Sequence, residues 1–207
     1  MIENFWVFAL TGFLLNITPG NDMLYVIARS SGQGTKAGII SALGIGAGCV
    51  VHIVAAVIGL SALIAQSAIA FTIIKYVGAC YLVYLGVMAI LTSKRSLQIE
   101  TTTRTISGKK IFLQAVITNV LNPKVALFFL AFLPQFISLE KGNTTLQIFY
   151  LGVWFNTVGT LVNILIAILF GRIGRLLFKS PLFISWQQRI TGAILIGLGI
   201  KLTFSAK

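Results

Sequence analysis

Acidic side chains are almost missing from this chain. Four Asp and Glu stand against sixteen Lys and Arg in 207 residues, and charged residues of both signs make up only 10%, where a soluble domain carries about 25%. Histidine occurs once, as His52. The two cysteines, Cys49 and Cys80, lie inside apolar runs and form no CxxC or Cys/His grouping, so they read as small buried hydrophobes and no metal or other cofactor is expected. An enzyme buried in apolar surroundings needs a nucleophile with a base, or a metal cluster. One His and a single acid inside the apolar runs argue against that class. Long polar stretches are missing too, which leaves no soluble domain. The N-terminus lacks a basic region and a small-residue cleavage site, so no cleaved signal peptide is expected.

What is present is apolar. Hydrophobic residues make up 57% and the mean hydropathy is +0.96, and repeated apolar runs exceed the length needed to cross a bilayer. The expected fold is an all-α integral membrane protein, one transmembrane domain over residues 1–207. Six spans are predicted: Asn4 to Ala28, Gly38 to Ala65, Phe71 to Leu91, Ile111 to Ile137, Leu146 to Phe170 and Trp186 to Phe204. The lipid bilayer is therefore the first partner.

The net charge of +12 raises the question of nucleic acid. Position answers it. Ten of the Lys and Arg fall in three hydrophilic connections: Arg29 and Lys36; Lys94, Arg95, Arg104, Lys109 and Lys110; Arg172, Arg175 and Lys179. These alternate with nearly uncharged connections, so they share one side of the membrane. The excess of positive charge on cytoplasmic loops makes that side cytoplasmic and puts both termini outside. The expected location is the cytoplasmic (inner) membrane, and nucleic acid is not expected.

Two spans are interrupted. Thr18-Pro19-Gly20-Asn21-Asp22 sets a proline, a glycine and a carboxylate in the middle of the first, and Asn122-Pro123-Lys124 breaks the fourth. Proline removes a backbone N–H and disfavours helix in the residue before it. A charge at membrane depth costs about 3 kcal/mol or more unless something answers it. Broken backbone at that depth is tolerated only inside protein or along a cavity.

Weak internal symmetry relates the two breaks. Pro19 and Pro123 lie 104 residues apart. In the second span Gly44, Gly48, His52, Ala55 and Gly59 make one helix face, and adding 108 gives Gly152, Asn156, Thr160, Asn163 and Ala167, a second face of small or polar residues. Lys75-Tyr76-Val77-Gly78-Ala79 also parallels Arg189-Ile190-Thr191-Gly192-Ala193. Three spans per half, about 1–100 and 101–207, force the halves to be inverted. A 3+3 inverted repeat with two broken helices points to a transporter whose site lies at the repeat interface.

Asp22 and Lys124 carry the expected chemistry. They can form a structural salt bridge between the broken helices, or face one cavity and bind a zwitterion, the carboxylate answering an ammonium and the amine a carboxylate. Asp22 is also the favoured proton carrier. Asn119, Asn122 and Thr18 can satisfy backbone groups freed at the breaks or bind substrate. His52 is either a packed neutral side chain or a proton relay. Gly44 and Gly48 permit close helix contact, within one protomer or in a homo-oligomer. Phe128, Phe129, Phe132 and Phe136 have helical spacing and suit a packing or lipid-facing stripe better than a substrate wall.

Thr18-Pro19-Gly20-Asn21-Asp22-Met23-Leu24 with Gly32-Gln33-Gly34 and Gly38, and Asn119-x-x-Asn122-Pro123-Lys124-x-x-Leu127-Phe128-Phe129 ending in Phe132-Leu133-Pro134-Gln135-Phe136, together resemble the two motifs of the LysE/RhtB family of amino-acid efflux proteins. The chain departs at Asn21, where the family pattern usually has a second proline. The resemblance extends over the whole chain. It implies six helices, export of amino acids or their derivatives and coupling to the proton gradient, with the Pro19/Asp22 and Pro123/Lys124 elements at the core of the pathway. The resulting expectation is an exporter working by alternating access and proton antiport. Small neutral amino acids are preferred, because no second buried carboxylate is available for a basic side chain. The rival readings are a channel or a metal-ion exporter. Ion pores favour rings of carbonyls or acids, and one Asp opposite one Lys suits a zwitterion better than a bare cation.

Overall fold

A computed structural model describes residues 4–60, 68–92, 106–138 and 142–177, together with separate helical positions between 186 and 200. The regular structure among them is helical, with no strand. Helix α1 spans Phe5–Ile17, α2 Asn21–Gln33, α3 Thr35–Ala55, α4 Ala68–Thr92, α5 Gly108–Val120, α6 Pro123–Leu127 and α7 Thr144–Leu177. Helix α3 runs on through a π-helical turn, Ala56–Leu60, and α6 through a π-helical turn, Phe128–Phe132, and a 3-10 turn, Leu133–Phe136.

Among the described residues, two helical stretches are long and apolar enough to cross a membrane, Thr35–Leu60 and Thr144–Arg172. A third exists if Gly108–Val120 and Pro123–Phe136, bent by 46° at their junction, count as one span. The six spans expected from hydropathy are therefore not all met among the described residues. The first is two helices of 13 residues each, both shorter than a bilayer requires. Nine of the nineteen positions of the last span, and Lys94, Arg95 and Arg104 of the second basic connection, lie outside the described residues.

Both breaks follow from local covalent chemistry. Thr18, pressed by the ring of Pro19, leaves the helical region at φ −69° and ψ 124°, and ends α1. Gly20 is extended and α2 begins at Asn21, so the break is complete without a second proline. Asn122 stands likewise in extended geometry before Pro123, which opens α6 at its first position, where a missing N–H costs nothing. Gly34 joins α2 to α3 at φ +85°, a conformation that favours glycine.

Helix α3 is the centre of the bundle, packed on α2, α5 and α7. A Cβ at Gly44 would lie 2.6 Å from the Phe112 carbonyl oxygen, and one at Gly48 would lie 2.7 Å from that of Val116. The small-residue face thus serves α3–α5 contact within the protomer. Phe128, Phe129 and Phe132, each 2% exposed, are core residues packed with Phe8, Phe136 and Phe155, a packing stripe turned inward and not toward lipid. Leu161, Leu165 and Leu169 lie exposed on the outer face of α7 while Asn163 and Ala167 are buried. Apolar outside and polar inside is the pattern a lipid solvent selects.

Candidate functional site

Each proline takes a hydrogen-bond donor from the carbonyl four residues before it. For Pro19 that carbonyl belongs to Leu15, and for Pro123 to Asn119. The two are answered in parallel ways. A nearby amide turns back, Thr18 N–H to Leu15 O at 3.2 Å and Asn122 N–H to Asn119 O at 2.9 Å. An ionisable side chain from a distant part of the chain supplies the rest. The Lys124 ammonium donates to Leu15 O and to Thr18 O, both at 3.0 Å, and His52 Nε2 lies 3.0 Å from Asn119 O. A carbonyl only accepts, so the His52 nitrogen there carries the hydrogen.

The charges occupy matching positions. Asp22 is the second residue of α2 and Lys124 the second of α6, a separation of 102 residues in place of the 104 between the prolines. The Asp22 carboxylate lies in the first turn of α2 and the Lys124 ammonium at the C-terminal carbonyls of α1, each where the helix dipole favours its sign. Asp22 Oδ2 accepts from Asn119 Nδ2 at 2.8 Å, while Asp22 Oδ1 is buried with no hydrogen-bond partner. The hydrogen bonds of the acid and the amine thus go to other groups. Gly20 makes room for the lysine, since a Cβ there would lie 3.2 Å from Lys124 Nζ.

Asp22 and Lys124 line one cavity, with Thr18 and Asn119 on the same wall. Its volume is about 30 Å³, room for about two waters and too small for an amino acid. Asn122 stands outside the wall and caps α6, its Oδ1 accepting from the Lys124 N–H at 3.0 Å. His52 is outside it too, half-buried and stacked on Phe129. It reaches Asp22 only through Asn119. Pro19, Gly20 and Pro123 shape the breaks without lining the cavity.

The wall also holds groups that sequence reasoning did not place there. Asn156, Thr160 and Asn163 line it from α7, and Asn16 from the last turn of α1. Asn16 donates to the Phe155 carbonyl at 3.3 Å. The polar residues of α7 were legible as one helix face, and that face was the available signal. Arg29 needs a correction. It was expected in a hydrophilic connection and is instead 8% exposed within α2, held between Tyr25 and Gln114, because α2 runs past Ala28 to Gln33. Among the described residues no group of His, Cys, Asp and Glu could hold a metal ion.

An uncharacterized membrane protein of Vibrio cholerae is 32% identical over 195 residues, 94% of each chain. The uncharacterized membrane protein YrhP of Bacillus subtilis is 35% identical over 196 residues, 91% of this chain and 92% of its own. A leucine efflux protein of Salmonella choleraesuis is 33% identical over 153 residues, 72% of this chain and 71% of its own. No solved structure matches. The model of the LysE type translocator family matches residues 13–206. With nearly the whole chain covered, the protein belongs to the LysE type translocator family, and so to a family of transporters and not of enzymes.

Proposed function

We propose that the protein exports small neutral amino acids across the cytoplasmic membrane by proton-coupled alternating access, with Asp22 and Lys124 holding the two charged ends of the substrate. One observation carries this reading: the acid and the amine border the same cavity, and Asp22 Oδ1 is buried there without a partner. The substrate ammonium binds Asp22, positioned by Asn119. The carboxylate binds Lys124, which exchanges the carbonyls of Leu15 and Thr18 for it. Thr18 and Asn122 hold the two breaks in shape. A proton on Asp22 removes the charge that attracts an ammonium, so proton and substrate occupy the site in turn, which is the requirement for antiport. The name of the leucine efflux relative supports the amino-acid class. Among the described residues Asp22 is the one acid of the cavity wall, which favours neutral side chains.

In this proposal six helices form a 3+3 inverted repeat, and both termini face outside. The closed cavity is one stage of the cycle, and the α1–α2 and α5–α6 breaks are where it widens. Counterflow in proteoliposomes, run across a panel of amino acids with and without a pH gradient, tests the reading. Concentrative flux of neutral amino acids that responds to the gradient is expected. Asp22→Asn and Lys124→Ala should fold and lose transport. Normal transport by both variants would overturn their assignment, and flux that never concentrates would indicate a channel.

A further inference from the structure

Arg29 is a buried cation that the central cavity does not use. It lies seven residues after Asp22, two turns along the same face of α2 and about 10 Å away along its axis. Its guanidinium is held by neighbours that carry no negative charge. Nη2 donates to Gln114 Oε1 at 3.0 Å, and the group sits over the Tyr25 ring, 5.3 Å from its centroid. Tyr25 is fixed in turn, its hydroxyl donating to the Ile111 carbonyl at 3.0 Å. The other terminal nitrogen, Nη1, is buried with no hydrogen-bond partner. A buried charge with a donor left unanswered is costly.

The surroundings give the charge a direction. Asp22 and Asn119 meet at one level of the α2–α5 seam, and Tyr25, Arg29 and Gln114 meet further toward the basic connections, Gln114 lying five residues before Asn119 on α5. The seam is thus a polar track from the side rich in Lys and Arg to the site between the breaks. A stacked, planar guanidinium with one nitrogen already anchored is preorganised for a carboxylate.

We infer that Arg29, with Tyr25 and Gln114, forms a first docking station for the substrate carboxylate, visited on the way from the cytoplasmic side to Asp22 and Lys124. This rests on the exporter reading above. Tyr25, Arg29 and Gln114 stand outside the wall of the cavity that Asp22 and Lys124 line. The two sites act in sequence, and α2 and α5 part at their Arg29 end to admit the ligand.

The test is protection of Arg29 from phenylglyoxal in everted vesicles of phosphatidylcholine alone, which excludes an anionic lipid headgroup as the ligand. Modification is read on the Arg29 peptide by mass spectrometry, with L-leucine or L-leucinamide as probe, in the wild type and in Asp22→Asn. Leucine should protect, leucinamide should not, and protection should persist in Asp22→Asn although transport is lost. Equal protection by both probes, protection by neither, or protection that disappears with Asp22→Asn would overturn the station. Arg29→Gln should raise the half-saturating leucine concentration at the cytoplasmic face about ten-fold or more, the loss expected for a charge-assisted pair. An unchanged value would also overturn it. Leucine transport by the wild type is measured in the same vesicles. Transport without protection removes only the station, whereas no amino-acid transport removes the exporter reading and the station together.

Discussion

Lys124 donates from its ammonium to the carbonyl of Leu15, 3.0 Å away, and Leu15 is the residue whose helical partner Pro19 abolishes. A side chain from beside the second break thus completes the backbone of the first. His52, from α3, does the same for Asn119 at the second. The breaks are stable because each borrows a donor from the other half of the chain, and a borrowed donor can be returned. In the transport cycle proposed above, a substrate carboxylate that takes Lys124 would leave the end of α1 undercapped and free to move.

The borrowing predicts a coupling between His52 and Pro123. In the wild type, His52→Ala should cost about 1–2 kcal/mol, the loss of one hydrogen bond to a buried acceptor. In a Pro123→Ala background the new N–H at position 123 can answer Asn119 O, and the same change should cost clearly less. A double-mutant cycle on unfolding in detergent measures the difference. Equal costs in both backgrounds would separate His52 from the break.

Asn119→Ala removes the donor at 2.8 Å that orients Asp22. The protein should remain folded and lose about ten-fold or more in transport, since the carboxylate then has no fixed direction. Counterflow measures this, and wild-type flux would show that Asp22 needs no positioning.

Close approach of α3 to α5 predicts an ordering among glycines. Gly44→Ala and Gly48→Ala each push a methyl to within 2.7 Å of a backbone carbonyl, and should cost about 1–3 kcal/mol. Gly59→Ala meets nothing within 4 Å and should be neutral or slightly stabilising. Thermal unfolding of the three variants in one detergent checks the order.

Phe155 lines the cavity and stacks on Phe128 with ring centroids 4.0 Å apart. Phe155→Ala should destabilise by about 3 kcal/mol or more. Phe155→Leu should cost less and shift transport toward bulkier neutral amino acids, as read by competition in counterflow. An unchanged preference order would place the substrate side chain elsewhere.

The residues themselves determined the class of protein and the position of both breaks. Lipid solubility is a property of composition, and a proline acts on the carbonyl four residues behind it whatever surrounds it. The polar face of α7 and the aromatic stripe in the turns after α6 were legible for the same reason, since helical spacing alone puts those side chains together. Tertiary structure alone decided the partners. That Lys124 would answer Leu15 across 109 residues, that Asn16 would reach α7, and that Arg29 would be enclosed at the α2–α5 seam depend on how helices cross, and no local pattern encodes a crossing. Hydropathy marked Arg29 as the start of a loop because a cation ends an apolar run. Packing kept it inside because Tyr25 and Gln114 could share its charge.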